Sequence, residues 1–154
     1  MLARAGRQRE LWFQLELLYL FSELKDKGTI ESWKEECTAK SGLCDFKIHL
    51  ADLHEAVIEV KALQQSDRRK PNWKLWESAV DLVKEIPKML SIPATSHYLL
   101  IFAYPDRDES EWNALVDYMP IKLRNTGVTV SRAEVDHSPG GELSIGLLKV
   151  STQV

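Results

Sequence analysis

The chain has little cysteine: Cys37 and Cys44 are the whole supply in 154 residues, too few for a disulfide framework. No Cys-x-x-Cys and no paired histidines accompany them, which excludes the usual zinc patterns. They read as reduced thiols of a cytoplasmic protein, flanking a loop-like segment. No apolar run reaches the roughly 18 residues needed to span a bilayer. Residues 1–7 are basic, but the apolar stretch after them contains Gln14 and Glu16, and no small-residue cleavage site follows. A secretory signal is therefore not expected. Absent too are a Gly-rich phosphate loop, a nucleophile elbow and a haem motif. Nor is there a surplus of positive charge. The net charge of −3 speaks against a protein that coats nucleic acid at large, though a local basic stripe is enough to hold phosphates.

What is present describes one globular domain over residues 1–154, with 44% apolar and 28% charged residues in the range of folded proteins. Residues 8–27 predict a helix: Leu11, Trp12, Leu15, Leu18 and Tyr19 recur at three- and four-residue steps. Leu17, Leu20, Phe21 and Leu24 widen that stripe, implying burial on most sides. Gly28 ends it, with Lys25 and Lys27 in the last turn. Residues 29–43 are polar and mixed, a short strand and a loop. A second helix is expected over 73–90, with Trp76, Val80, Val83 and Ile86 inward and Pro87 kinking or ending it. Residues 98–104 form a near-continuous apolar run, as in a strand covered on both faces. A short helix over 109–118 turns Trp112 and Leu115 inward, and strands follow over 128–135 and 142–150. The fold class is α/β: a central mixed sheet with the first helix on one side and the second on the other.

Residues 45–63 carry the chemistry. Phe46, Ile48 and Leu50 alternate with Asp45, Lys47 and His49, and a second apolar strand follows Asp52-Leu53-His54. Together they predict a β-hairpin. A three-residue loop over 52–54 sets Phe46 opposite Val60, Ile48 opposite Ile58 and Leu50 opposite Ala56, giving one apolar face. On the other face Asp45 then lies opposite Lys61, and Lys47 opposite Glu59. Asp45 and Glu59 become a diagonal pair, about 7–8 Å apart, close enough to share a divalent cation. Asp52, at the hairpin tip, stands about five residue steps from Glu59, or roughly 16 Å at strand rise. It cannot share that cation. Two carboxylates with room for waters suit Mg²⁺, with Mn²⁺ able to replace it, better than zinc. Such an ion polarises a phosphoryl oxygen, and the Lys61 ammonium steadies the developing charge.

Asp45, the hairpin, and Ile58-Glu59-Val60-Lys61, preceded by a helix carrying an acid, resemble the PD-(D/E)XK nuclease superfamily, a restriction-endonuclease-like group. The resemblance covers roughly residues 10–65, and the following helix and strand fit that superfamily's α-β-β-β-α-β core. It implies that Asp45 and Glu59 bind Mg²⁺, that the Val60 backbone carbonyl adds a ligand, and that Lys61 assists the attacking water. It further implies a helix acid in the metal shell, for which Glu16 is the candidate because it interrupts an apolar run. Cys44 stands where the motif's proline would precede Asp45.

Around this centre, Arg68, Arg69 and Lys70, with Lys74 a turn further on, are candidates for gripping a phosphate backbone, although charged loops are usually only solvated. Gln64 follows the catalytic strand closely enough to reach a phosphate. Trp73, Trp76 and Trp112 lie at packing positions and read as core or interface. His49 reads as a solvated histidine. The expected function is a Mg²⁺-dependent nuclease acting on nucleic acid, DNA before RNA. With no separate recognition domain, specificity would come from a homodimer, a partner subunit or nucleic-acid structure. The rival expectation is a binding or assembly subunit that keeps the nuclease fold with little activity.

Overall fold

The computed structural model describes residues 2–39, 42–64, 74–104, 107–123, 127–137 and 143–152. They form an α/β structure: a six-stranded mixed sheet flanked by three α-helices. In chain order these are α1 (Leu2–Asp26), β1 (Ile30–Ala39), β2 (Gly42–Leu50), β3 (Glu55–Gln64), a 3₁₀ turn at Leu75–Ser78, α2 (Ala79–Leu90), β4 (Ser96–Tyr104), α3 (Glu109–Lys122), β5 (Val128–His137) and β6 (Ser144–Thr152). The sheet order is β1-β2-β3-β4-β6-β5. Only β3 and β4 run parallel, because the crossover through α2 lies between them, whereas short turns favour antiparallel neighbours.

Alternation along the strands divides the core in two. On one face α1 packs through Phe13, Leu17, Phe21 and Leu24 onto Phe46, Ile48, Val60 and Phe102. Phe13 stacks on Phe102 with ring centroids 3.7 Å apart, and Phe21 meets Phe46 edge-on at 5.3 Å. On the other face Leu82, Ile86 and Met89 of α2, with Trp112, Leu115 and Met119 of α3, cover Val57, Leu99, Ile101, Leu148 and Val150. Contrary to the expectation from its wide stripe, α1 is buried along one side only over residues 13–26; the side chains of Leu11 and Trp12 lie outside the described residues. Leu15 and Tyr19 are about two-thirds exposed, because the sheet supports one face of the helix and no described element lies over the other. Its stop is as expected, with Gly28 in the left-handed region at φ 78°, where glycine is at ease. Among the described residues no helix is long and apolar enough to cross a membrane.

Several boundaries differ from the sequence expectation for identifiable reasons. The polar stretch before residue 43 is a full strand, β1, paired with β2 along its length and setting Cys37 opposite Cys44 in the backbone register. The two cysteines therefore lie on paired strands, on either side of residues 40–41, which lie outside the described residues. Pairing with β2 supplies what the residues' own propensity does not signal. Pro87 does not end α2, and Pro120 lies inside α3. Each sits within the last turns of its helix with an exposed ring, so only one ladder bond is lost. At the start of α3, Asp108 caps the helix by accepting from the Glu111 N–H at 3.0 Å.

Trp112 is fully buried, as its position suggested, and its indole N–H donates to the buried Ser144 hydroxyl at 3.1 Å. Gly146 of β6 makes room for the ring: a Cβ there would stand 2.3 Å from a Trp112 ring carbon. Gly146→Ala is therefore expected to destabilise the fold by about 1–3 kcal/mol, the usual cost of overpacking. Urea unfolding should show this as a lower midpoint at unchanged slope. A midpoint equal to wild type would mean that the indole does not lie against β6.

Candidate active site

The site lies where the sheet forks. Pairing of β2 with β3 runs from His49↔Glu55 to Phe46↔Ile58 and stops. Beyond it β2 stays with β1 to the Ala39↔Gly42 pair, and β3 stays with β4 to Gln64↔Tyr104. Backbone groups released at such a fork must find other partners. Here acidic side chains provide them. Asp45 Oδ2 accepts from the Val60 N–H at 2.7 Å, and Glu59 Oε2 accepts from the Asp45 N–H at 3.2 Å.

The register corrects the one expected from the hydrophobic pattern. The turn occupies Ala51-Asp52-Leu53 and not residues 52–54, closed by Leu50 N–H to the His54 carbonyl at 2.8 Å. Leu53 takes φ 72°, as the third residue of such a loop does, and Asp52 accepts the His54 N–H at 3.1 Å. Phe46 thus faces Ile58 and not Val60, Ile48 faces Ala56 and not Ile58, and Lys47 faces Val57 and not Glu59. A two-residue slip keeps every side chain on its face, so the apolar pattern cannot detect it; only a one-residue slip would expose the core. The slip puts Asp45 level with Glu59 instead of diagonal to it. Lys47 then pairs with Glu55 at 3.1 Å, and His49 lies 3.4 Å from the same carboxylate.

The structure brings Asp45, Glu59 and Lys61 together. The Lys61 ammonium stands 3.8 Å from Glu59 Oε1. Glu59 is 6% exposed, and its carboxyl is pushed up to about 7 by burial first, then by the neighbouring Asp45 charge, with Lys61 opposing and Glu85 adding to the rise. Near neutrality this acid therefore holds its proton far more readily than an ordinary carboxyl does. The Val60 side chain is fully buried on the α1 face, which leaves its backbone as the part that faces the fork.

Two neighbours of the centre were not anticipated, and one anticipated member is elsewhere. The Gln14 amide, on α1, donates to Asp45 Oδ1 at 3.1 Å. Glu16 is exposed and does not supply the acid expected from α1. At 100° per residue it stands about 200° around the helix from Gln14. Gln14 lies on the same stripe as Leu18 and Phe21, and that alignment was available as a signal. Glu85, on α2, lies 3.5 Å from the Lys61 ammonium. It borders the inward stripe of Leu82, Ile86 and Met89, a position that flags a partly covered acid. Lys74 is exposed beside the capping Asp108, whose carboxyl is held low chiefly by hydrogen bonds from Ser110 and the Glu111 N–H, with a smaller contribution from Lys74. Arg68, Arg69, Lys70 and Trp73 lie outside the described residues, as do the side chains of Gln64 and Trp76.

The donor chemistry fits a hard divalent cation. Two carboxylates are held side by side, and one carries the electrostatic penalty that a cation would relieve. Among the described residues no three His, Cys, Asp or Glu side chains form a metal-holding group. Such an ion would have to take most of its ligands from backbone and water, which Mg²⁺ tolerates. Compared with family models, with curated proteins and with solved structures, the chain matches none.

Proposed function

We propose that this chain is a divalent-metal-dependent nuclease of the restriction-endonuclease-like kind, hydrolysing phosphodiester bonds of nucleic acid, DNA before RNA. The observation that carries the reading is the Asp45–Glu59 pair at the fork of β2 and β3, with Lys61 at 3.8 Å. The order α1-β1-β2-β3-α2-β4 supports it, being the order of the PD-(D/E)XK core that the sequence resembles. Asp45 and Glu59 would hold Mg²⁺ or Mn²⁺ together with the Val60 carbonyl. The ion supplies a Lewis acid for the phosphoryl oxygen and a more acidic bound water. Gln14 fixes the Asp45 carboxylate by its amide hydrogen bond, and the Val60 N–H fixes the other oxygen. Lys61 places a positive charge where negative charge builds up on the phosphoryl group, and its protons can orient the attacking water.

A second reading is favoured by Gln14. A neutral amide stands where the resemblance implies an acid, so the chain would be a nuclease-fold binding or assembly subunit of low activity. Both readings allow a homodimer or a partner subunit to supply specificity.

The test is cleavage of supercoiled plasmid, single-stranded DNA and RNA in Mg²⁺ or Mn²⁺, against a chelator control. Metal-dependent cleavage lost on Asp45→Ala supports the nuclease. Cleavage that survives both Asp45→Ala and Lys61→Ala removes the mechanism. Failure to cut any substrate, with no Mn²⁺ bound, leaves the binding subunit.

A further inference from the structure

Lys61 sits between two acids from different elements. Glu59, two residues earlier on β3, offers Oε1 at 3.8 Å; Glu85, reaching over from α2, offers Oε1 at 3.5 Å. The other oxygen of Glu85 is approached by Lys88 at 3.7 Å, one helical turn on. Glu59 is the more deeply buried of the two acids, with its side chain 8% exposed against 23% for Glu85.

A buried carboxylate draws the nearest ammonium strongly, since both charges lose water and recover energy only from each other. Without Glu85, the pull of Glu59 would bring Lys61 closer to the oxygens that a divalent cation needs. Ammonium and cation would then compete for one carboxylate. Glu85 supplies the alternative partner on the side toward α2. Among the described residues no three acids form a metal-holding group, so Glu85 is taken as a partner of Lys61 and not as a third ligand.

Building on the nuclease reading above, we infer that Glu85 is a positioning residue that holds Lys61 off Glu59 and so keeps the Asp45–Glu59 side open to the cation. Its effect on the cation runs through Lys61. Removing Glu85 therefore matters most while the lysine is present.

A double-mutant cycle read by Mn²⁺ titration at pH 8 tests this without any cleavage assay. The proteins are wild type, Glu85→Gln, Lys61→Met and the double variant, with urea midpoints as a check on folding. Glu85→Gln is expected to weaken Mn²⁺ binding by about tenfold in the wild-type background and by less than about twofold once Lys61→Met is present, a coupling of the size found between contacting side chains. Equal losses in both backgrounds would show Glu85 to be a ligand in its own right and overturn the inference. So would equal affinity of Glu85→Gln and wild type. If the glutamine variant folds poorly, Glu85→Ala completes the same cycle. Wild type that binds no Mn²⁺ at all sinks the cation reading itself, and this inference with it; a wild type that binds while the cycle shows no coupling sinks the inference alone.

Discussion

Lys61→Met is expected to lower nucleic-acid cleavage by about 10²–10⁴-fold, the usual worth of a well-placed catalytic proton-bearing group, while Mn²⁺ binds as tightly as in wild type or more so. On the nuclease reading the two effects separate, because the ammonium stands beside Glu59 Oε1 while the cation would take the carboxylate from the Asp45 side. Removing the ammonium would take away the charge proposed to face the phosphoryl group, yet would relieve competition for Glu59 Oε1, 3.8 Å away. Asp45→Ala should behave differently. It deletes the acceptor of both the Gln14 amide and the Val60 N–H, so binding and cleavage should fall together. Mn²⁺ titration beside a plasmid-cleavage time course distinguishes the two variants. Cleavage by Lys61→Met within tenfold of wild type would exclude the lysine from the chemical step.

The second large effect concerns pH. Glu59 titrates in the folded protein near pH 7 against an ordinary value of 4.5, so between those values the folded chain holds a proton that the unfolded chain has lost. A raised folded pKa contributes stability that is fully present below pH 4.5 and is lost as pH rises through about 7. At 1.36 kcal/mol per pH unit the loss amounts to about 3 kcal/mol. Glu59→Gln, neutral at every pH, should lack it. The difference in unfolding free energy between wild type and Glu59→Gln, followed from pH 4.5 to 8 without metal, is therefore expected to turn against wild type by that amount. Millimolar Mg²⁺ should restore most of it at pH 8 and little at pH 5, because the ion binds the ionised form and stabilises only the folded chain. Parallel pH profiles for the two proteins would mean that the Glu59 carboxyl is not held in the fork as described.

Both expectations depend on features of unequal visibility in the sequence. The alternation of Phe46, Ile48 and Leu50 with polar residues was enough to make β2 a strand and to put Asp45, Glu59 and Lys61 on one parity. It could not place the turn, because slipping the hairpin by two residues leaves each side chain facing the same layer. The turn was set by local chemistry at Asp52 and Leu53. On α1 the acid within an apolar run pointed to Glu16, yet helical geometry turns Glu16 outward and Gln14 toward Asp45. Angle around the helix, and not residue type, decides which side chain meets Asp45. Glu85 had no local signature beyond its place beside the stripe of α2. Its meaning comes from the packing of that helix against β3.

The amino-acid order by itself determined the α/β class, the strand and helix periods and the short acidic-and-basic motif on β3, because each follows from spacing along a chain with fixed backbone geometry. Tertiary structure alone decided that β2 and β3 part after Phe46↔Ile58, that Asp45 drops level with Glu59, and that Gln14 and Glu85 close on the centre from opposite layers. Contacts between residues 14, 45, 59 and 85 depend on how layers pack, and packing is a property of the whole core that no window of sequence contains.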